Sequence, residues 1–175
     1  GLLWKPVLRG TPGIFTASVT EKGVLLQMNI LFFLTPKSDV AYIFEDETLR
    51  QTVEKMEHRK FSCIPILNKE GKYTGTISEG DLLWGIKLLN INSTDLKEME
   101  NVSIMAIPRR ATYKPVHADA DMEDLLDRAI NQNYVPVVDD KGSFIGIITR
   151  KEIIKYCYKE MKKLSALHEK QDTSE

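Results

Sequence analysis

The sequence predicts an α/β (α+β) fold: two β-α-β-β-α repeats packed sheet to sheet with pseudo-twofold symmetry. Three observations predict it. The segment IPILNKEGKYTGTISEGDLL, from Ile64, is matched by VPVVDDKGSFIGIITRKEII, from Val135. Pro65 aligns with Pro136, Gly71 with Gly142, Gly75 with Gly146, Ser78 with Thr149 and Asp81 with Glu152, each pair 71 positions apart. A constant offset over chemically matched positions marks a duplicated unit. Both copies then show the same order of short β-prone runs and segments with helical periodicity. Finally, a single unit of about 55 residues leaves its sheet half covered and is marginal alone, so two units are expected to share a core.

The first unit opens with the β-prone run Val40–Phe44 and the acidic turn Glu45–Glu47. Leu49, Val53 and Met56 recur at helical spacing behind Thr48 as N-cap, and Lys55, His58, Arg59 and Lys60 suit the negative end of the helix dipole. Ser62–Leu67 and Tyr73–Ser78 form a hairpin around Gly71, and the helix after Ser78 is expected to turn Leu82, Leu83 and Ile86 inward. Ser93–Glu100 reads as a capped linker helix ending before Pro108. The second unit places Val116 in the opening strand, a helix bearing Met122, Leu125, Leu126 and Ala129, strands Val135–Val138 and Phe144–Thr149 around Gly142, and a helix from Arg150. The organisation is a first repeat at 28–90, a linker at 91–108, a second repeat at 109–160 and a charged tail at 161–175 expected to fray. Residues 1–27 have a different texture, with scattered glycine and proline and no period, and read as a leader before Met28. Ile30–Leu34 is expected to be a short buried strand or helix.

Hydrophobic content of 42%, charged content of 28% and a net charge of −1 describe an ordinary globular chain with no general pull toward nucleic acid or anionic membrane. No segment approaches the roughly 20 apolar residues that span a bilayer. Cys63 and Cys157 lie in no CxxC or metal-ligand spacing and read as buried thiols in a reducing cytoplasm. His58, His117 and His168 are dispersed, and no nucleophile elbow, Walker A or dinucleotide fingerprint is present. Neither a catalytic constellation nor a metal site is predicted, and the chain is not expected to be an enzyme.

The two matched motifs carry the chemistry. Ser78 with Asp81, and Thr149 with Glu152, each place a hydroxyl at a strand end and an acid three residues on, in the first turn of a helix. That is the pattern of a capping box, in which hydroxyl and acid satisfy backbone N–H groups. It is equally a nucleotide-binding pattern, because a carboxylate accepts both hydroxyls of a ribose and a helix N-terminus offers N–H groups to phosphate. The copies differ in charge: Arg150 and Lys151 stand where Glu79 and Gly80 stand in the first. Two cations there oppose the dipole and point to an anionic neighbour, either a phosphate, for which Arg150 has the better geometry, or the acidic stretch Asp119–Asp124; a solvated pair is the remaining reading.

The order of proline-led strand, glycine-led strand and [ST]-x-x-[DE] helix start, twice over residues 38–158, strongly resembles the cystathionine-β-synthase (CBS) domain pair, often called a Bateman module. The VAYI-like opening, the IPRR-like linker and the TRKE-like end with its lysine-rich helix are most similar to small stand-alone pairs of Gram-positive bacteria that sense cyclic di-AMP. The resemblance implies a non-catalytic regulatory module that binds AMP, ATP or cyclic di-AMP between the repeats and signals to an unidentified partner protein. It also implies a flat homodimer formed by exposed helices, here drawing on Leu82, Leu83, Trp84, Ile86, Ile153, Ile154 and Tyr156. Carried over by motif, Ser78, Asp81, Thr149 and Glu152 meet the ribose, and Arg150, Lys151, Arg109 and Arg110 the phosphate. Arg109 and Arg110 fit a plain basic linker equally well. Val40, Ala41 and Tyr42 with Ser62, Cys63 and Ile64, or Tyr113 with Asn133, Tyr134 and Val135, grip the base, and Tyr42 or Tyr134 stacks on it. Two departures stand out: Glu152 replaces an aspartate, and Asp39 stands where a basic residue favours a dianion. The alternative reading is a scaffold or dimerisation module whose motifs are helix caps only.

Overall fold

The computed structural model describes residues 28–172, with side chains described through residue 166; the leader and residues 173–175 lie outside the described residues. A 3-10 turn at Ile30–Phe33 leads into β1 (Thr35–Pro36), and another at Lys37–Asp39 precedes β2 (Ile43–Phe44). The first repeat continues with α1 (Leu49–Arg59), β3 (Cys63–Leu67), β4 (Tyr73–Ser78) and α2 (Glu79–Leu88). The linker holds α3 (Leu96–Glu100) and a 3-10 turn at Ile104–Ala106. The second repeat supplies β5 (Val116–His117), α4 (Met122–Asn131), β6 (Tyr134–Val138), β7 (Phe144–Thr149) and α5 (Arg150–Asp172).

Local chemistry explains these boundaries. Thr48 caps α1 as expected and does so reciprocally, since its hydroxyl accepts from Gln51 N at 3.2 Å while Gln51 Oε1 accepts from Thr48 N at 2.8 Å. The two hairpin turns are built alike. Asn68 Oδ1 accepts from the backbone of Glu70 and Lys72, Asp139 Oδ1 does the same for Lys141 and Ser143, and Gly71 and Gly142 take the left-handed φ values of 78° and 79°. The opening strand is shorter than the expected Val40–Phe44, because a 3-10 turn closes with Val40 N donating to Lys37 O. The linker helix starts after Asp95, which accepts from Lys97 N and Glu98 N, rather than at Ser93. Residues 161–172 continue α5 as one helix instead of forming a separate tail.

Two sheets result, ordered β2-β3-β4 and β1-β7-β6-β5. In each repeat the opening strand runs parallel to the proline-led strand, which is antiparallel to the glycine-led strand, and the same register shift falls at Ile66/Leu67 and at Val137/Val138. β1 breaks the equivalence by pairing antiparallel with β7, Thr35 opposite Ile147.

The expected shared core is replaced by two. Ile43, Leu49, Ile64, Ile66 and Ile77 of the first repeat pack with Met99, Ile104 and Ile107 from the linker. Val116, Leu125, Val135, Val137 and Ile148 of the second pack with Ile30 and Phe33 from the 3-10 turn that opens the first repeat. Each fully buried aliphatic side chain is worth roughly 1.5–3 kcal/mol. Each repeat is thus plugged by a turn just N-terminal to the strands and helices of the other repeat. Between the sheets lies an aromatic and hydroxyl layer: the Tyr73 and Phe144 rings stack with centroids 6.3 Å apart, and Phe144 N donates to Gly71 O across the hairpin tips. Leu83, expected inside, is 64% exposed, because only Asp81, Leu82 and Gly85 lie on the buried face of α2. Cys157, expected to be buried, is exposed on α5, and Cys63 is half-buried.

Candidate functional site

The first four residues of β4 and the linker that enters the second repeat enclose a cleft of about 390 Å³, walled by Tyr73–Thr76 on one side and by Arg109 and Ala111–Pro115 on the other. Arg109 reaches across it. A Cβ placed on Gly75 would stand 2.6 Å from its Nη1, so the guanidinium rests on the bare glycine backbone. Among the described residues no carboxylate ion-pairs with Arg109. Lys114 lines the same cleft; its backbone is tied to Gln132, whose Oε1 accepts from Lys114 N at 2.8 Å and whose Nε2 donates to Lys114 O at 3.0 Å.

The floor is a chain of hydroxyls whose direction follows from counting protons. Tyr73 O–H donates to Tyr113 O at 2.9 Å, so it accepts from Thr76 Oγ1 at 2.8 Å; Thr76 therefore accepts from Tyr134 O–H at 2.5 Å. Burial pushes the phenols of Tyr73, Tyr113 and Tyr134 up, Tyr134 well above its ordinary value, and burial raises the Cys63 thiol likewise.

Ser78 and Asp81 form the complete capping box of α2. Asp81 Oδ2 accepts from Ser78 N at 2.9 Å and from Ser78 Oγ at 2.8 Å, and Ser78 Oγ accepts from Asp81 N at 3.1 Å. Asp81 Oδ1 accepts from Arg110 N at 2.8 Å, and the residue is 3% exposed. Arg110 sends its side chain the other way, 5.4 Å from the Trp84 ring centroid.

In the second copy the motif has come apart. Thr149 Oγ1 accepts from Glu152 N at 3.3 Å, but Glu152 turns outward to Lys155 at 2.9 Å, one methylene longer than the acid that folds back in the first copy. Arg150 pairs neither with Asp119–Asp124 nor with solvent alone: its Nε donates to Ala129 O at 2.8 Å and Gln132 O at 3.1 Å, at the C-terminal end of α4, where carbonyls without helical partners and the helix dipole welcome a cation. Lys151 is exposed. Glu152 and Lys155 border a separate hollow of about 340 Å³ with Phe32–Thr35, Tyr156 and Lys159.

The expected base-gripping residues are divided. Tyr113 lines the cleft and its ring lies against Tyr134, centroids 5.2 Å apart, so Tyr134 already has a ring partner and is 5% exposed. Tyr42 packs edge-on to Phe44 and Phe144 beneath Lys37, and its carbonyl accepts from Lys55 Nζ. Val40 and Ala41 are half-buried beside it, Ser62 O accepts from Glu79 N, and Ile64 and Val135 are core residues paired within the sheets. Arg109 and Tyr113 therefore line the cleft, Tyr134 lies against Tyr113, and Asp81 with Ser78 adjoins through Arg110 N; Val40–Tyr42 and Thr149–Glu152 are not among the lining residues, although Thr149 pairs with Tyr134 and the Arg150 charge acts on the Tyr113 phenol. Sequence reading missed Tyr73, Thr76 and Lys114. The first two were readable as polar residues of β4 on either side of Gly75, Thr76 next to it and Tyr73 two positions before; for Lys114, nothing but its place after Tyr113 marks it. Larger hollows lie elsewhere: one of about 870 Å³ is lined by Asp119, Asp121, Asp124, Asp139 and Asp140, whose charge repels phosphate, and an apolar one of about 590 Å³ lies beside Trp84 and Leu88. No group of three or more metal-ligating side chains occurs among the described residues.

The CBS domain family model matches residues 33–87 and 106–159. An uncharacterized protein of Methanocaldococcus jannaschii is 28% identical over 141 residues, covering 64% of this chain and 82% of that protein. Cyclic di-AMP receptor B of Bacillus subtilis is 23% identical over 144 residues, covering 81% of this chain and 94% of the receptor. Among solved structures, CbpB in complex with c-di-AMP superposes with a TM-score of 0.74 at 24% identity, over 86% of this chain and 98% of CbpB. A CBS domain protein from Streptococcus pneumoniae gives 0.70 at 23%, over 85% and 97%. With both matched segments coinciding with the two repeats, the chain belongs to the CBS domain family and carries a tandem pair.

Proposed function

We propose that the chain is a non-catalytic regulatory module that binds an adenine nucleotide, AMP, ATP or cyclic di-AMP, in the cleft between β4 and the Arg109–Pro115 linker, and signals to a partner protein. The observation that carries this reading is the Arg109 guanidinium, held over Gly75 in a cleft of about 390 Å³ where no carboxylate of the described residues ion-pairs with it. Arg109 and Lys114 meet phosphate, and Tyr113 and the linker backbone meet the base. The c-di-AMP bound to CbpB and the cyclic di-AMP receptor of Bacillus subtilis support cyclic di-AMP as the first ligand to try. No helix of the described residues is long and apolar enough to cross a membrane.

Self-association belongs to the same proposal. Leu83, Trp84 and Leu88 on α2 and Ile154, Tyr158 and Met161 on α5 are exposed apolar side chains in excess of what either core uses. Light scattering at micromolar concentration is expected to give a dimer mass; a monomer mass rejects that part.

One observation favours the scaffold reading, namely the closed capping box at Ser78 and Asp81. Thermal shift with AMP, ATP, cyclic di-AMP, NADH and S-adenosylmethionine separates the two readings. A ligand at 100 times its dissociation constant stabilises by about 2.7 kcal/mol. For a chain of this size that raises Tm by roughly 5–10 °C. No shift across the panel at millimolar ligand rejects the sensor.

A further inference from the structure

Four polar side chains of the described residues are buried: Thr52, Thr76, Asp81 and Gln132. Thr52 donates to Thr48 O at the start of its own helix, and Thr76 and Asp81 have the partners given above. Gln132 remains. It follows α4 and is 5% exposed, yet its whole amide is engaged by backbone: Nε2 donates to Lys114 O at 3.0 Å and to Tyr134 O at 3.3 Å, and Oε1 accepts from Lys114 N at 2.8 Å. The reversed amide would set its oxygen against two carbonyls, so the orientation is fixed by its partners. Both amide hydrogens being taken, Gln132 has none to offer a ligand.

Its target is a stretch of chain without regular structure. Residues 112–115 belong to no helix or strand, yet they wall the cleft and carry Tyr113 and Lys114. One peptide of that wall is gripped from both repeats. The peptide joining Tyr113 to Lys114 has its carbonyl held by Tyr73 O–H of β4 at 2.9 Å and its N–H held by Gln132 Oε1. The grip is not duplicated: 71 positions before Gln132 stands Phe61, which has no amide side chain and is 38% exposed. The segment entering the first repeat is held differently, with Lys55 Nζ donating to Tyr42 O at 3.1 Å.

We infer that Gln132 is a positioning residue, which with Tyr73 fixes the Tyr113–Lys114 peptide so that the linker wall of the cleft is set, and Lys114 is presented to phosphate, before a ligand arrives. The inference rests on the nucleotide reading above. A wall already in place spares the ligand the cost of ordering it, so Gln132 strengthens binding without touching what is bound. Because one peptide is held from both sides, the wall keeps its place only while β4 of the first repeat stays docked on the second.

Two measurements test this. In the first, calorimetric titration with AMP and cyclic di-AMP follows a cycle of Gln132→Met, Lys114→Ala and the double variant, methionine keeping the shape of the side chain and removing its hydrogen bonds. Gln132→Met is expected to weaken both ligands by about tenfold in the wild type and by less than about threefold once Lys114 is alanine. A loss below threefold in the wild type, or an equal loss in both backgrounds, overturns the inference. The second is amide hydrogen exchange of the unaltered chain without ligand, in which the Lys114 amide is expected to exchange at least about tenfold more slowly than that of Thr112, after correction for intrinsic rates. Equal exchange at the two positions overturns the inference even if Gln132→Met fails to fold. Failure of every nucleotide to bind overturns the nucleotide reading and the role of the wall with it; rapid exchange at Lys114 overturns this inference alone.

Discussion

Thr76→Val is the sharpest probe of how the two repeats are joined. The hydroxyl of Thr76 is 3% exposed and bridges Tyr73 O–H at 2.8 Å and Tyr134 O–H at 2.5 Å. Valine keeps the shape and removes only that oxygen. Tyr134, 5% exposed, then has a phenol donor with no acceptor, which costs about 1–3 kcal/mol. Tyr73 keeps Tyr113 O as acceptor and loses one accepted bond, about 0.5–1.5 kcal/mol. The expected loss is about 3 kcal/mol, or a Tm lower by roughly 6–12 °C. Urea denaturation followed by circular dichroism measures it. The double variant with Tyr134→Phe removes both partners, so it should be more stable than Thr76→Val alone, with a loss near 1 kcal/mol by the same logic. A single-variant loss below about 0.5 kcal/mol, or strict additivity in the double, refutes the hydroxyl chain as the tie between repeats.

Gly75→Ala puts a methyl group where the Arg109 guanidinium rests, and since that is the end of a flexible side chain, phosphate ligands should weaken by about tenfold with stability nearly unchanged; unchanged affinity by titration contradicts the placement of Arg109. Gly146→Ala directs its Cβ to 2.2 Å from Thr35 O, a backbone atom, and should cost about 3 kcal/mol or more by parting β1 from β7, whereas Gly142→Ala meets no atom within 4 Å and should cost only the left-handed backbone term of about 1–2 kcal/mol; urea midpoints in the reverse order contradict the pairing. The buried phenols of Tyr73, Tyr113 and Tyr134 titrate above their ordinary value of 10.0, so the stability tied to their neutral form is fully present below that pH and is lost as pH rises through the folded values. The urea midpoint should fall above about pH 10; a midpoint that stays level as pH is raised further contradicts their burial.

The duplication was legible because it rests on residues whose roles are local. Gly71 and Gly142 announce left-handed turns, Thr48 and Ser78 announce helix starts, and alternating aliphatics in β3 and β6 announce buried strands. What eluded sequence reading is relational. Asp81 looks the same in sequence whether its acid faces a ligand or Arg110 N, and only the path of a linker 29 residues later decides. Arg150 appeared to need an anion, yet two carbonyls at the end of α4 suffice, and carbonyls are invisible in a residue pattern. Leu83 was placed inward by hydrophobicity alone, although a helix needing one narrow face against β4 leaves its neighbour out. Tyr134 read as a stacking platform because its hydroxyl partner, Thr76, lies in the other repeat.

The reciprocal plugging of the cores bears on how the chain can be cut and how it is born. Ile30 and Phe33 emerge early in synthesis but find their cavity only when β6 and β7 have been made, while Ile104 and Ile107 close the first repeat on the way. The first repeat can therefore consolidate while the second is still being extended, and the last event is the return of the earliest segment, a long loop closure that slows folding. Cutting the molecule in the linker does not yield two half-proteins. It yields one fragment that still carries the other's plug, and the half without its plug is left with an open core and a bare β7 edge ready to recruit the same segment from a second molecule.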